Sequence, residues 1–351
     1  SDPALDPHGR RRPVAGAVGT VVDGAPLLQA YEEHLVGSLD GRDLAGLRVV
    51  LDCANGAAAR IAPRVVAALG AEVDVIEAEP DGTNINAGCG ALHPGSLGRA
   101  VLSAGADLGL AFDGDADRLV AVDHAGATVD GDHLLALFAL DLRSRSLLGP
   151  DAVVVTVMSN LGFHQAMRAA GIDVVQTPVG DRHVLDAIEA RGLSLGGEQS
   201  GHIIFRRLAT TGDGLLTGLQ LADLLRRSGR PLTELAAGAM TRLPQRLANL
   251  AVDRPSALEA AAEVWQEVAA VESELAGSGR VLLRASGTEP VVRVMVEAPT
   301  DELAGELVSR LSQAVERALG RGAEAAPEGA MGPGRSLLPA PALETGQAVA
   351  E

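Results

Sequence analysis

The chain has 351 residues, enough for two or three domains, because a single hydrophobic core stops growing near about 250–300 residues. Hydrophobic residues make up 47% and aromatics only 2%, so the cores must be built from Leu, Val, Ile and Ala. Lys+Arg 29 against Asp+Glu 46 leaves a net charge of −17, which argues against a general binder of nucleic acid or anionic membrane, since phosphate backbones are held by dense basic patches.

That balance leaves room for a small phosphorylated ligand held by a few placed arginines, and every Lys+Arg position is in fact Arg. The two cysteines, Cys53 and Cys89, form no C-x-x-C pair. A disulfide framework or structural zinc site is therefore not expected, and a reducing cytoplasm fits. No apolar run approaches the roughly 18–20 residues that a membrane span needs. The nearest, HLLALFALDL at 133–142, reads as a buried helix.

In chain order, residues 1–25 are weakly patterned. Residues 47–78 (LRVVLDCANGAAARIAPRVVAALGAEVDVIEA) then run strand, turn, helix, strand. Residues 151–178 (DAVVVTVMSNLGFHQAMRAAGIDVVQTP) repeat that order. Asn55 and Asn160 are placed to cap the helix starts, Gly70 and Gly171 the helix ends. Two βαβ units predict two related α/β domains with mixed sheets, at 40–145 and 146–245. A strand over 244–252, a helix over 256–277, paired strands over 279–298 and a helix over 301–320 follow. Leu303, Leu307, Leu311 and Val315 form one stripe of that last helix. This is a small α+β domain, 246–320, and the Ala/Pro/Gly/Glu-rich 321–351 reads as a disordered tail.

Three stretches can carry chemistry. In AFDGDADRLV, Asp113, Asp115 and Asp117 fall within five positions of a loop between two strand-like runs. Two unit charges about 4 Å apart cost roughly 4 kcal/mol at an effective dielectric of 20, so three carboxylates take up protons or recruit a cation. All-oxygen ligands select a hard ion, Mg²⁺ or Ca²⁺, and Mn²⁺ can use the same oxygens. An EF-hand fails, because Arg118 stands where its Gly is required and His124 where its Glu is. The alternative is a solvated acidic turn. In LGGEQSGHIIF, Glu198, Ser200 and His202 alternate, so an extended segment would face them the same way, toward a polyhydroxylated ligand such as a sugar. The rival is a Gly-rich turn satisfying its own backbone. In RASGTEPVVRV, the loop of Ser286, Gly287 and Thr288 is flanked by Arg284 and Arg293, forked donors suited to phosphate. A plain hairpin turn with surface arginines is the alternative. Gly180-Asp181-Arg182 forms a further turn between strand and helix.

Taken in order, DGDADR, GEQSGH and SGTEP resemble the metal, sugar and phosphate loops of the α-D-phosphohexomutase superfamily. DCANGAA, PDGTNINAGCG, VMSNLG, VGDRHV, TGDG and PQRLANL resemble its bacterial phosphoglucosamine mutase branch, and the match covers about residues 14–320. The resemblance implies related α/β domains followed by a small α+β domain. It implies transfer from a phosphoserine to a hexosamine phosphate, through a bisphosphate that reorients. By resemblance, Asp113, Asp115 and Asp117 hold Mg²⁺, Glu198 and Ser200 bind sugar hydroxyls, and His202 supports that loop. Arg284, Ser286, Gly287, Thr288 and Arg293 grip the non-reacting phosphate. Arg118 and Gly180, Asp181 and Arg182 line the reaction centre, with Asp181 a candidate for proton transfer. The implied partner is a small phosphorylated hexosamine, with no nucleic acid and no membrane; oligomeric state is not legible.

The superfamily's nucleophilic serine lies in a Ser-His-Asn-Pro loop, and no His in this sequence is followed by Asn. Residues 14–25 resemble the junction leaving the serine domain, so residues 1–39 read as a linker from a missing first domain. The expectation is the last three domains of a mutase. A phosphoglucomutase or phosphomannomutase, and a non-catalytic sugar-phosphate-binding remnant, are the alternatives.

Overall fold

The computed structural model describes residues 18–286 and 290–320; Gly287, Thr288 and the tail 321–351 lie outside the described residues. Helix α1 (Ala25–Gly37) leads into β1 (Arg48–Asp52), α2 (Ala58–Ala68), β2 (Glu72–Ile76), α3 (Gly95–Ala104), β3 (Leu108–Phe112), β4 (Leu119–Asp123), β5 (Thr128–Val129) and α4 (Gly131–Ser144). These strands form a sheet ordered β2-β1-β3-β4-β5, parallel across β2, β1 and β3 and antiparallel from β3 onward.

The second sheet follows the same plan. It comprises β6 (Ala152–Thr156), α5 (Leu161–Ala169), β7 (Asp173–Thr177), α6 (Asp181–Arg191), β8 (Leu195–Gly197) and β9 (Ile203–Phe205). Its order is β7-β6-β8-β9, with β8 and β9 antiparallel. The repeat therefore extends past the βαβ unit to a hairpin. The β3–β4 loop, carrying the aspartates, and the β8–β9 loop, carrying Glu198, stand at equivalent positions. Helices α7 (Gly214–Ser228) and α8 (Leu232–Ala239) follow; α7 packs back on β3 and β4 of the first sheet, while α4 packs on β8 of the second and on α8.

Both sheets share one core. Leu51, Leu110 and Phe112 of the first sheet join Val153, Val155 and Leu195 of the second, with Leu134 of α4 and Leu219 of α7 among them. The opposite faces are covered by α3 through Leu97 and Val101, and by α6 through Val184 and Ile188. Near-continuous apolar runs such as Leu108–Phe112 suit strands covered on both faces. The C-terminal unit has a separate core. Here β10 (Gln245–Ala251), β11 (Arg280–Ala285) and β12 (Val291–Glu297) form an antiparallel sheet ordered β10-β12-β11. Val292, Val294 and Val296 pack on α9 (Ala262–Leu275) and on Leu307, Leu311 and Val315 of α10 (Asp301–Leu319). The architecture is two related α/β units with mixed sheets followed by a small α+β unit.

A buried ion pair ties the C-terminal unit to the second sheet. Arg280 Nε and Nη2 reach the two oxygens of Glu297 at 2.8 and 3.0 Å. Arg280 also donates to the carbonyls of Val157 (3.1 Å) and Ser159 (2.6 Å), and Glu297 accepts from Leu161 N at 2.7 Å, at the start of α5.

Three local expectations are corrected. The segment expected as linker contains α1, whose Leu35 lies in the shared core with Leu39 just beyond it, both fully buried. Leu27 and Leu28 on its outer side are exposed, which blurs the amphipathic pattern. Asn55 does not cap α2: its φ is 49°, and its side chain accepts from Glu79 N and donates to Glu77. Asn160 does cap α5, accepting from Gly162 N at 3.0 Å. The helix expected over 256–277 is split, because Pro255 opens a separate 3₁₀ turn, Pro255–Ala260, that buries Leu258. The Leu258 carbonyl accepts from Trp265 Nε1 at 2.9 Å.

Candidate active site

The loop between β3 and β4 is six residues, Asp113 to Arg118, and its backbone is held from both sides. Ala57 N donates to the Gly114 carbonyl at 2.8 Å, and Gly214 N to the Ala116 carbonyl at 2.9 Å. Pinned in this way, ligand atoms of Asp113, Asp115 and Asp117 all lie within 4.8 Å of one another. Asp113 is buried, Asp117 half-buried and Asp115 exposed, so the cluster opens to solvent on one side.

The electrostatics follow from that geometry. Burial first, and then the charges of Asp117 and Asp115, push the Asp113 carboxyl up to about 7. The hydrogen bond from His202 is the main reason Asp117 is held below the usual carboxylate range. Arg118 Nε stands 3.7 Å from Asp113 and 3.6 Å from Asp117, near enough to offset charge. Asp117 Oδ1 is buried without a hydrogen-bond partner. An all-oxygen donor set with a buried, unpartnered oxygen and an open side fits a hard divalent cation that keeps other ligands.

The β8–β9 loop departs from the expected extended segment. It is a tight turn in which Gly201 N donates to the Glu198 carbonyl at 3.0 Å. Glu198, Ser200 and His202 therefore do not face one way. Ser200 is exposed, with Oγ 3.5 Å from Glu198 Oε2, while Glu198 Oε1 accepts from Gly180 N at 3.0 Å. His202 turns inward and is 3% exposed. Its Nδ1 lies 3.0 Å from Asp117 Oδ2, and Gly212 N donates to its Nε2 at 3.0 Å. The turn is set by Gly201, whose φ is +94° and whose Cα lies against the Leu119 carbonyl, leaving no space for a side chain.

The two equivalent hairpin loops thus meet. Leu119 N donates to Gly201 O at 3.1 Å, Gly131 N to Gln199 O at 3.2 Å, and His202 joins Asp117. Gly180 reaches this junction through Glu198. Asp181 and Arg182 are exposed at the start of α6, with Arg182 Nε 3.9 Å from Asp186. Arg284 and Arg293 are direct cross-strand partners on β11 and β12, with Asn249 of β10 on the other side of Arg293. Ser286 N donates to Val291 O at 2.9 Å and closes the hairpin.

Sequence reasoning assigned no role to Asp132, Gln199, Gly212 or Asp213. Asp132 is fully buried and accepts from Asn160 N (2.9 Å) and Gln199 Nε2 (3.1 Å), linking the β6–α5 loop to the β8–β9 loop. Burial and the neighbouring Asp130 push its carboxyl up to about 7. Asp213 caps α7, accepting from Leu216 N at 2.9 Å, and takes the Tyr31 hydroxyl at 2.9 Å. The TGDG stretch was the only signal for this hub.

Family models match in the same order as the three units. The phosphoglucomutase/phosphomannomutase alpha/beta/alpha domain II matches residues 29–126, domain III 130–243, and the C-terminal domain 247–314. The chain belongs to the phosphoglucomutase/phosphomannomutase family. Among its relatives, the phosphoglucosamine mutase of Parafrankia sp. is 59% identical over 312 residues, covering 88% of this chain and 66% of the relative. That of Streptomyces coelicolor is 54% identical over 309 residues, covering 88% and 68%. The chain thus spans about two thirds of the length of these family members. A phosphoglucomutase/phosphomannomutase family protein from Burkholderia thailandensis superposes with a TM-score of 0.69 at 26% identity, over 83% of this chain and 64% of that one. The Aspergillus fumigatus N-acetylphosphoglucosamine mutase, solved with GlcNAc-6P and magnesium, superposes with a TM-score of 0.70 at 24% identity, over 86% and 68%. No described helix is long and apolar enough to cross a membrane.

Proposed function

We propose that this chain carries the metal, sugar and phosphate sites of a cytoplasmic phosphoglucosamine mutase. That enzyme interconverts glucosamine 6-phosphate and glucosamine 1-phosphate through a phosphoserine and a bisphosphate. The observation that carries the reading is the junction of the two hairpin loops, where His202 and Asp117 join a three-carboxylate cluster to the loop of Glu198 and Ser200. Relatives at 52–59% identity that bear this name support the choice of sugar.

Asp113, Asp115 and Asp117 would hold Mg²⁺, which supplies charge neutralisation for phosphoryl transfer. Arg118 adds fixed positive charge beside the same carboxylates. Glu198 and Ser200 orient the sugar through its hydroxyls, and Gly180 N–H holds Glu198 in place. Asp181 and Arg182 stand exposed at the start of α6, where Asp181 can move a proton to or from a hydroxyl. Arg284 and Arg293, with Ser286, Gly287 and Thr288, grip the phosphate that is not reacting. The same grip must serve both ends of the sugar, and forked guanidinium donors suit phosphate in either orientation.

No His-Asn pair occurs in the 351 residues, and the reading assigns none of their serines as the phosphoserine. Calorimetry of this chain with glucosamine 6-phosphate, with and without Mg²⁺, tests the reading. Mg²⁺-dependent binding of both glucosamine phosphates, tighter than of glucose or mannose 6-phosphate, is the expected result. Preference for glucose or mannose phosphate would move the assignment to phosphoglucomutase or phosphomannomutase. Interconversion by these residues alone, followed by ³¹P NMR, would overturn the phosphoserine route.

A further inference from the structure

We propose that His202 is a positioning residue for Asp117, locked for that task as the Nδ1–H tautomer by the backbone of Gly212. The proposal rests on the reading of Asp113, Asp115 and Asp117 as a divalent-cation site.

A backbone N–H can only donate. Gly212 N lies 3.0 Å from His202 Nε2, so Nε2 presents its lone pair and the ring hydrogen sits on Nδ1. Nδ1 in turn faces Asp117 Oδ2 at 3.0 Å and donates to it. That bond occupies one carboxylate oxygen and restrains rotation of the carboxylate group. Asp117 Oδ1 is left buried and without a hydrogen-bond partner, 3.6 Å from Arg118 Nε, on a carboxylate that belongs to the cluster with Asp113 and Asp115.

The ring has no freedom to do otherwise. It is 3% exposed, and it packs against the Cα of Gly212 so closely that a side chain there would strike it. Gly212 is itself held by its neighbour Asp213, the cap of α7, whose carboxylate takes Leu216 N and the Tyr31 hydroxyl. A continuous chain of contacts therefore runs from α1 and the start of α7, through Gly212 and His202, to the carboxylate of Asp117. In histidine-ligated metal centres a carboxylate commonly stands behind the imidazole; here the imidazole stands behind the carboxylate. With both ring nitrogens engaged, His202 acts on the sugar site only through the loop it anchors.

Partners behind a metal ligand are commonly worth 10–100-fold in affinity. The amide nitrogen of asparagine falls near the position of Nδ1, and that of glutamine near Nε2, so two similar variants separate the proposal from a packing role. Mn²⁺ titration of the 351-residue chain, followed by electron paramagnetic resonance, is the measurement. His202→Gln and Gly212→Ala should weaken Mn²⁺ binding by about 10–100-fold, while His202→Asn stays within about threefold of the parent. Long-range ¹H–¹⁵N NMR, with the His202 signal identified by its loss in His202→Gln, should show the Nδ1–H tautomer in the metal-free protein. An Nε2–H tautomer, or equal affinities for His202→Gln and the parent, overturns the proposal while leaving the metal site standing. A parent protein that binds no Mn²⁺, indistinguishable from Asp115→Asn, overturns the metal site and with it the role given to His202.

Discussion

Replacing Glu297 by alanine measures how firmly the C-terminal unit is held. Glu297 is fully buried, while Arg280 keeps 20% of its side chain exposed. The substitution removes two bonds from Arg280 and leaves Leu161 N–H, at the start of α5, without its acceptor. Removing one member of a buried pair costs about 3–5 kcal/mol, and partial rehydration of Arg280 places this case near 3. In a unit of this size each kcal/mol moves the melting midpoint by about 4–8 °C, so the expected drop is roughly 12–24 °C. The assay is built into the sequence. Trp265, the one tryptophan, lies in α9 of the C-terminal unit, and Tyr31, the one tyrosine, lies in α1 of the shared core. Tryptophan emission therefore reports the C-terminal unit, and far-ultraviolet circular dichroism reports the whole chain. Glu297→Gln, which keeps an acceptor for Leu161, should lose about half as much. A shift in tryptophan midpoint below about 4 °C for Glu297→Ala would refute the assignment of the pair as the anchor.

Other expectations concern charge. Asp132 has a folded pKa of about 7 against an ordinary 3.8, so the unfolded chain releases this proton first and the stability is lost as pH rises between those values. Asp132→Asn should flatten melting temperature against pH from 5 to 7.5; a profile as steep as the parent's contradicts the assignment. Asp113, pushed up to about 7, must give up its proton to a cation, so Mn²⁺ affinity should fall about tenfold per pH unit below that value. A titration series from pH 5.5 to 8 that shows constant affinity would rule this out. Arg284→Gln should leave the C-terminal unit within about 0.5 kcal/mol of the parent in phosphate-free buffer. It should also abolish the extra stability that inorganic phosphate gives the parent. Tryptophan melts with and without phosphate check both.

Local signals made much of this protein legible. Three aspartates at alternate positions between two apolar runs declared their loop, and the stripe ending at Val315 declared α10. Asn160, a capping residue at a strand–helix turn, behaves as its position suggests, while Asn55 is drawn away by Glu77 and Glu79 across 22 and 24 residues. The direction of His202 was not readable, because the turn that reverses it depends on Gly201 meeting Leu119 from the other sheet. The alternation of Glu198, Ser200 and His202 suited a strand and met a hairpin turn instead. Tyr31 and Asp213 meet across 182 residues, so the role of α1 had no local trace either. Contacts between distant loops, each carried by one or two side chains, leave no periodicity.

The β3–β4 and β8–β9 hairpins occupy one position in two versions of the same sheet, and they touch at their tips. In evolutionary terms, duplication relieves a loop of serving two masters. Here one copy gathers three carboxylates while the other presents Glu198 and Ser200. In engineering terms, the junction belongs to neither copy. Two halves separated by a long spacer would lose the junction and the shared core together, because Asp117 would lose His202, Leu119 would lose Gly201, and α7 would leave β3 and β4.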